Sequence, residues 1–379
     1  MHNVLYVSHT SQLGGAEHSL ILLLENLDRG RFSPAVAVPG PGPLAAALDA
    51  MGVPRRTVTM ARLKRTLNPF LLIRYFRMWR RAISQIERLI GELSIDLVHS
   101  NATIPHLFAS PAAKRTGTPC IWHVRDISSP GGWVDRMMTR NASAIIAISE
   151  AVKGSMHHPE LAAPKTRVIH NGVDTEKFSP GGRMALRAEL GLDGSTPLAG
   201  VVGQVVPWKG HRHFLAAAAA VAEKMPAARF IVVGDNRFGD HPGLLDKLKG
   251  RARELGIGDR VMFLGWRDDA VAVMNALDVL VVSSETEAFG RVVIEAMACR
   301  KPVVSFRCGG PVEIIEHEKT GLLVTPYDTA EMAAGIVRLL SDPATSEEMG
   351  RLGRQAVCER FSAAAHAADV QDVYAGLLD

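Results

Sequence analysis

Residues 278–299 read DVLVVSSETEAFGRVVIEAMAC and contain the parts of one α/β unit. The run DVLVVSS is nearly continuous in Val and Leu, which is typical of a strand covered on both faces of a parallel sheet. ETEAFG follows as a loop, and RVVIEAMAC is predicted to be a helix. The stretch therefore predicts a strand whose carboxyl end leads directly to the N-terminus of a helix.

The same alternation of strands and helices continues along the whole chain. Strands are predicted at NVLYVS, PAVAVP, DLVHS, PCIWHV, AIIAIS and RVIHN, and then at LAGVVG, RFIVVGD, VMFLGW, DVLVVSS and KPVVSF. This order predicts parallel sheets with right-handed helical crossovers, and ligands that bind at the carboxyl ends of the strands. We expect an α/β protein of two doubly wound, Rossmann-like domains that face each other across a cleft.

The alternation pauses at residues 173–197, where Pro and Gly residues flank one short helix. Such a pause is typical of a domain boundary. We place the N-terminal domain at 1–180 and the C-terminal domain at 181–361. A helix over about 362–379 is expected to pack back on the first domain.

Composition excludes several classes of protein. A formal net charge of +4 on 379 residues is small for a dedicated nucleic-acid binder, so no nucleic acid partner is expected. The four cysteines lie far apart, which favours free thiols in a reducing cytosol. We find no signal peptide and no apolar stretch of the roughly 18 residues that a membrane span needs. The protein is expected to be cytoplasmic.

Two glutamates in the first stretch require an explanation, because a carboxylate among core residues is costly unless it is paired. Glu287 lies in the loop and Glu295 interrupts an apolar run. The helix N-terminus near Gly290 and Arg291 suits a diphosphate, and Glu295 could accept hydrogen bonds from a ribose. The alternative is a buried glutamate paired with a nearby arginine.

Three further loops could carry chemistry. Lys209 precedes a predicted helix, where a cation is unfavourable unless an anion is bound. Gly14 and Gly15 form a strand–glycine–helix turn that either admits a ligand or is an ordinary tight turn. His123 falls at the end of an apolar strand, and such a histidine is either structural or part of the site.

Taken in order, these segments resemble one family across almost the whole chain. The series is GGAE, HVRD, HNGVD, VGQVVPWKG, FIVVGD, VMFLGW, EAFGRVVIEAMACRKPVV and GGPVEII followed by TGLLV. It is similar to the retaining, nucleotide-sugar-dependent glycosyltransferases of the GT-B fold in glycosyltransferase family 4. Glu287 and Glu295 match the E-x7-E motif of that family.

The resemblance implies roles for the matching residues. Glu287, Lys209 and His123 would be the catalytic residues, with Glu287 and His123 beside the donor sugar and Lys209 on its diphosphate. Glu295 would hold the ribose. The residues implied in donor binding are Gly14, Gly15, Gln204, Lys209, Gly234, Trp266, Glu287, Phe289, Gly290, Arg291, Val292 and Glu295. Among them, Gly290, Arg291 and Val292 would offer backbone N–H groups to the diphosphate, and Gly234 and Trp266 would frame the base.

Two positions depart from the pattern of the family. The arginine that usually follows the glycine before the lysine is Gln204 here, and Arg291 stands where an aliphatic residue is common. A neutral glutamine cannot supply a second positive charge to a diphosphate. Either Lys209 and the helix N-terminus suffice, or Arg291 or Arg212 contributes.

The resemblance implies metal-independent chemistry with retention of configuration, in which a phosphate oxygen of the donor takes the proton of a hydroxyl acceptor. We expect no cofactor and no metal, since the sequence has no Asp-x-Asp. A nucleotide-sugar epimerase, a sugar phosphorylase and a non-catalytic sugar-binding protein remain alternatives. The GxGxxG turn expected of an NAD-dependent dehydrogenase is not found in the sequence.

Residues 54–81 are strongly basic. They contain nine cations and no acid, namely Arg55, Arg56, Arg62, Lys64, Arg65, Arg74, Arg77, Arg80 and Arg81. After Pro69 the cations interleave with large apolar residues, which predicts an amphipathic helix. Such a helix can lie on the anionic inner face of a membrane and bring the enzyme to a lipid-linked acceptor. The alternative is an ordinary helix whose apolar face packs on the first domain.

Overall fold

The computed structural model describes residues 1–60, 68–127, 131–236 and 239–378. It divides into two compact units. Unit 1 comprises Met1–Gly172 and Ala363–Asp379, and unit 2 comprises Val173–Ser362. The chain thus passes from one unit to the other after Gly172, whereas the sequence placed the boundary after residue 180.

Unit 1 has a seven-stranded parallel sheet. Its strands are β1 (His2–Val7), β2 (Phe32–Val38), β3 (Arg55–Thr57), β4 (Leu97–Ser100), β5 (Cys120–Val124), β6 (Ala144–Ala147) and β7 (Thr166–Val168). Their order is β3-β2-β1-β4-β5-β6-β7. The order reverses between β1 and β4, which is where a doubly wound sheet opens its ligand crevice.

Helices cover both faces of this sheet. They are α1 (Gly15–Glu25), α2 (Pro43–Ala50), α3 (Pro69–Glu92), α4 (Thr103–Thr116), α5 (Gly132–Asn141), α6 (Glu150–Gly154) and α7 (Pro159–Ala162), and, at the chain end, the helix Ala363–Leu378. Alternate residues of β1 face opposite cores, because side chains alternate along a strand. Val4 and Tyr6 pack with α1 and the C-terminal helix, while Leu5 and Val7 pack with α3 and α4.

Unit 2 has a six-stranded parallel sheet. Its strands are β8 (Leu198–Val202), β9 (Arg229–Val233), β10 (Val261–Gly265), β11 (Val279–Val282), β12 (Val303–Phe306) and β13 (Leu322–Val324). The order is β10-β9-β8-β11-β12-β13, so the topological switch lies between β8 and β11.

The helices of unit 2 are α8 (Met184–Glu189), α9 (His211–Lys224), α10 (Leu244–Glu254), α11 (Ala270–Ala276), α12 (Arg291–Ala298), α13 (Pro311–Ile314), α14 (Thr329–Ser341) and α15 (Pro343–Arg360). The helix Ala363–Leu378 of unit 1 is numbered α16. One large core joins β8, β9 and β11 to α9, α10 and α14. Helix α12 packs on β11 and β12 together with α11 and α15. This packing fixes the N-terminus of α12 at the carboxyl edge of the sheet.

Two doubly wound α/β units in one chain match the expected fold class. The strands predicted from the sequence are all present. Two strands were missed, β3 and β13, and each has three residues at the edge of its sheet.

Candidate functional site

An ion pair spans the topological switch of unit 2. Lys209 follows β8 and Glu287 follows β11, and the two strands are neighbours. Lys209 Nζ donates to Glu287 Oε2 at 2.5 Å, and the Ser284 hydroxyl donates to the same oxygen at 3.2 Å. The Glu287 side chain is 11% exposed and that of Lys209 is 25% exposed. Both groups predicted to meet the donor sugar and its diphosphate therefore lie together at this edge.

Close backbone contacts hold these loops in place. A Cβ at Gly210 would lie 1.8 Å from the Ser283 carbonyl oxygen, and one at Gly309 would lie 1.9 Å from the Glu287 carbonyl oxygen. Both glycines also have positive φ, +64° and +50°. Only glycine fits either position, so the backbone of Glu287 is fixed by its neighbouring loops.

The loop after β11 ends in a left-handed glycine. Gly290 is the N-cap of α12 with φ of +96°, and Arg291 is the first helical residue. The first turn of a helix has N–H groups without an intrahelical partner, and its dipole favours an anion. Gly290, Arg291 and half-buried Val292 bring that turn to the edge where Lys209 lies.

Glu295 pairs with an arginine of its own helix. Arg291 Nη2 lies 3.2 Å from Glu295 Oε1, and the two residues are four apart on α12. This is the pairing that the sequence left open as the alternative to ribose binding. Arg291 therefore joins the first turn of α12 to the predicted ribose ligand.

Other predicted donor-binding residues lie on neighbouring loops of the same sheet. Gln204 is half-buried in the loop after β8, and Gly234 and Trp266 follow β9 and β10. Trp266 is 40% exposed and its indole N–H donates to Asp268 at 2.8 Å. The ring of Phe289, in contrast, is buried in unit 2 against Phe361, with 6.0 Å between ring centroids.

In unit 1, His123 lies on β5 and is fully buried. Its Nδ1 faces two groups, Nε2 of His99 at 3.1 Å and Nη2 of Arg125 at 3.2 Å. Burial lowers the pKa of His123 well below the usual range, and the charge of Arg125 lowers it further. The imidazole is therefore neutral at ordinary pH.

The predicted glycine turn of unit 1 begins α1. Gly14 is the N-cap of that helix and Gly15 its first residue. The Gly14 N–H donates to Glu17 Oε2 at 3.1 Å, and burial raises the pKa of Glu17. The turn is thus tied to a buried carboxyl group near the switch between β1 and β4.

From the sequence we did not identify the polar groups that join α1 to the segments after β4, β5 and β7 of unit 1. Arg125 donates to Asn101 Oδ1 at 3.2 Å and to Asn171 Oδ1 at 2.7 Å. Asn171 also accepts from the Ser19 hydroxyl at 3.0 Å. A signal was available, since Asn101 and Arg125 directly follow predicted strands at the edge where ligands bind.

The basic segment divides into differently placed parts. Arg55 and Arg56 are in β3, and Arg55 pairs with Asp49 at 2.7 Å. Arg62, Lys64 and Arg65 lie outside the described residues. From Pro69 the chain is helical through Glu92, and α3 buries residues only from Ala82 onwards. Among the described residues, no helix is both long and apolar enough to cross a bilayer.

Comparison with known proteins identifies the family. The model for "Glycosyltransferase Family 4" matches residues 13–177, and the model for "Glycosyl transferases group 1" matches residues 183–356. A D-inositol 3-phosphate glycosyltransferase from Saccharomonospora viridis is 31% identical over 288 residues, which are 70% of this chain and 67% of that protein. The chain belongs to the group 1 glycosyltransferases of family 4.

Other relatives show the same relationship over different lengths. A D-inositol 3-phosphate glycosyltransferase from Mycobacterium sp. (strain KMS) is 40% identical over 194 residues, 50% of this chain. The match spans only 43% of the length of that relative. The structure of Anabaena HepE in complex with UDP-glucose aligns over 99% of this chain and 100% of its own, with a TM-score of 0.85 and 26% identity. The present chain therefore has the GT-B fold.

Proposed function

We propose that the protein is a retaining glycosyltransferase that moves a sugar from a nucleoside diphosphate sugar to a hydroxyl acceptor in glycan or glycolipid biosynthesis. The observation that carries the proposal is the Lys209–Glu287 ion pair at the switch of the unit 2 sheet. It puts a cation, a carboxylate and the N-terminus of α12 at one sheet edge, which suits a diphosphate joined to a sugar. Family membership supports the same activity.

In the proposed reaction the leaving group is the nucleoside diphosphate. The bond between the sugar C1 and the phosphate oxygen breaks, and a bond from the acceptor oxygen to C1 forms on the same face. The acceptor proton moves to an oxygen of the leaving phosphate. Lys209 and the first turn of α12 would stabilise the charge on the diphosphate, which is the main task of such a site. We expect this to proceed without a metal ion.

Donor binding would change the partner of Lys209. In the structure its ammonium pairs with Glu287. When a diphosphate takes that ammonium, Glu287 can accept hydrogen bonds from sugar hydroxyls. Glu295 would accept from the ribose hydroxyls in the same way. Uridine diphosphate glucose is the first donor to test, because Anabaena HepE has been crystallised with it.

The test is product analysis with a panel of nucleoside diphosphate sugars, with and without EDTA, together with thermal unfolding in the matching nucleoside diphosphates. A ligand that binds the folded protein raises its unfolding temperature. Release of nucleoside diphosphate with transfer of the sugar supports the proposal. Epimerised donor without acceptor, or sugar phosphate formed from inorganic phosphate, would identify the alternative enzymes. Binding without turnover would favour a sugar-binding protein.

We further propose that the enzyme acts on a membrane-proximal, lipid-linked acceptor at the inner leaflet. The first half of α3 supports this. Phe70, Leu72, Ile73 and Phe76 are 81%, 49%, 52% and 56% exposed. The cations around them are Arg74, Arg77, Arg80 and Arg81, and in the described part of the chain none of these pairs with a carboxylate.

The second half of α3 explains why the first half projects. Ala82, Ile83, Ile86, Leu89 and Ile90 are buried, and this half packs on α4. The change from exposed to packed helix begins at Trp79, whose indole N–H donates to the Leu107 carbonyl of α4 at 3.0 Å. The alternative, an apolar face packed throughout on unit 1, therefore applies from Ala82 onwards. Exposed apolar residues beside unpaired cations favour an anionic lipid surface.

Co-sedimentation with liposomes tests this second proposal. Binding should rise with anionic lipid and fall with salt, since exposed charges are screened over about 10 Å at about 0.1 M ionic strength. Replacing Arg77, Arg80 and Arg81 by Glu should abolish binding. A matched control makes the same charge change at Lys247, Lys249 and Arg253 on α10, which are exposed in unit 2. Wild-type protein that stays in the supernatant at low salt would favour a soluble acceptor.

A further inference from the structure

His123 lies at one end of a chain of buried side-chain hydrogen bonds in unit 1. Its Nδ1 is 3.2 Å from Arg125 Nη2. A guanidinium group can only donate hydrogen bonds, so the nitrogen that faces it has to accept. His123 Nδ1 therefore carries no proton, and the single proton of the neutral ring is on Nε2.

The same reasoning fixes the tautomer of His99. His99 Nε2 lies 3.1 Å from the accepting nitrogen of His123, so His99 donates there. The other nitrogen of His99, Nδ1, must then accept, and the Tyr374 hydroxyl lies 2.6 Å from it. Tyr374 belongs to α16, so the end of the chain determines the proton position on a strand in the middle of unit 1.

Tyr374 has a second, longer contact. Its hydroxyl also faces the Tyr6 hydroxyl, in donor geometry, at 3.2 Å. The contact with His99 Nδ1 is the shorter of the two, at 2.6 Å, and therefore the stronger. Tyr374 thus donates to His99, and His99 and Arg125 both donate to His123 Nδ1.

The surroundings keep both histidines neutral. His99 and His123 are fully buried, and burial, followed by the charge of Arg125, lowers the pKa of each well below the usual range. The titratable and charged groups around His123 are His99 on β4, Arg125 after β5, and His366 and Tyr374 on α16, with Glu17 of α1 near Arg125. None of them is an anion in direct contact with the His123 ring that could hold an imidazolium.

We propose that Arg125, His99 and Tyr374 are positioning residues that hold His123 as its Nε2–H tautomer, so that His123 donates a hydrogen bond to a substrate oxygen. No described side chain or backbone group accepts a hydrogen bond from His123 Nε2, although this nitrogen is buried. A buried donor left without an acceptor is costly, which favours an oxygen supplied by a ligand. Only the identity of this oxygen, on the sugar or on a phosphate, rests on the proposed function.

The first test needs no substrate. Imidazole nitrogen shifts of protein labelled with ¹⁵N-histidine distinguish the two neutral tautomers from the imidazolium, and a His123→Gln sample assigns the His123 signal. His123 should be the neutral Nε2–H form throughout the range between about pH 5 and pH 8, where an ordinary histidine titrates. An Nδ1–H form, or protonation within that range, would overturn the proposal whatever reaction the enzyme catalyses.

A matched pair of tyrosine variants tests the positioning role. Tyr374→Phe removes the hydroxyl that bonds to His99, and Tyr6→Phe removes one that reaches only Tyr374. Tyr374→Phe should change the nitrogen shifts of His99 and His123 and lower kcat roughly fivefold. Tyr6→Phe should leave the His123 signal in place. Equal effects of the two variants on the His123 signal would mean that Tyr374 acts only through packing.

Substitutions at His123 separate a fixed donor from a general base. Gln can place an N–H group near the position of Nε2, whereas Leu has a similar size and no donor. His123→Gln should retain at least about tenfold more activity than His123→Leu, because a removed hydrogen-bond donor costs about a hundredfold at such sites. If His123 were a base, the activity of His123→Gln would fall as far as that of His123→Leu. The acidic limb of the pH profile of activity would then disappear in both variants.

Discussion

Lys209 and Glu287 are 78 residues apart in the sequence, and their side chains form an ion pair with 2.5 Å between Nζ and Oε2. The second acid of the motif is also paired, Glu295 with Arg291 at 3.2 Å. Buried Glu287 and half-buried Glu295 therefore each have a cation, which offsets the cost of burying the carboxylate. A diphosphate at the proposed site would have to compete with a carboxylate for each cation.

We predict that Lys209→Ala lowers kcat/KM about a hundredfold or more, because a charged hydrogen bond to the leaving group is worth about 2–4 kcal/mol in a closed site. The fold should persist with some loss of stability, because buried Glu287 keeps the Ser284 hydroxyl as a partner but loses its cation. Steady-state kinetics and thermal unfolding measure the two effects. Lys224→Ala, at an exposed position of α9, is the control. Wild-type turnover of Lys209→Ala would remove this lysine from the mechanism.

Gln204→Arg tests the departure from the family pattern. Gln204 lies in the same loop as Lys209, and an arginine there would add a positive charge near the proposed diphosphate. The affinity for nucleoside diphosphate should therefore increase, and should do so most at low salt. Isothermal titration at two salt concentrations measures this. Unchanged affinity at both would mean that residue 204 does not face the ligand.

The two glutamates should differ in kinetics. Glu295→Ala should mainly raise KM for the donor, because a ribose contact is present in the ground state and the transition state alike. Glu287→Ala should chiefly lower kcat, because its carboxylate would lie beside the reacting sugar. Full kinetics on both variants distinguish these defects. A shared KM-only defect would contradict the assigned roles.

The sequence predicted the sheets well because their central strands are buried on both faces. Runs such as DVLVVSS have few alternative structures. The two missed strands, β3 and β13, have three residues each, too few for a periodicity to appear, although β7, which is equally short, was predicted from the apolar pair in RVIHN. Both lie at sheet edges, where pairing with one neighbour rather than composition determines the structure.

Site residues were predictable where their partners are local. Arg291 and Glu295 are four residues apart on one helix, so their pairing follows from helical geometry. The His99–Tyr374 bond joins residues 275 apart, and nothing near either residue indicates it. It depends on the return of α16 to unit 1, and therefore on tertiary structure alone.

Arg291 should supply part of the charge that Gln204 lacks. Arg291→Leu restores the aliphatic residue usual in the family and leaves Glu295 without its cation. Donor affinity should fall, and the fall should be smaller when Gln204→Arg is combined with it. A double-mutant cycle on nucleoside diphosphate binding measures this coupling. Fully additive effects would show that the two positions act independently.

The buried histidines should make the protein sensitive to acid. Burial lowers the pKa of His106 to about 3 and that of His211 to about 4, and the pKa values of His99 and His123 are also well below the usual range. Below about pH 6.5 the unfolded chain therefore binds protons that the folded chain does not. The free energy of unfolding decreases as the pH is lowered. Each such histidine adds a slope of about 1.4 kcal/mol per pH unit until its folded pKa is reached.

His211 provides the cleanest measurement of this slope. It is buried at the start of α9, and neither of its ring nitrogens has a hydrogen-bond partner among the described residues. His211→Leu should therefore cost little stability near pH 7 and reduce the dependence of the unfolding free energy on pH by about one proton between about pH 6 and pH 5. Urea unfolding across that range gives the slope. Parallel curves for the wild type and His211→Leu would show that His211 takes up no extra proton on unfolding.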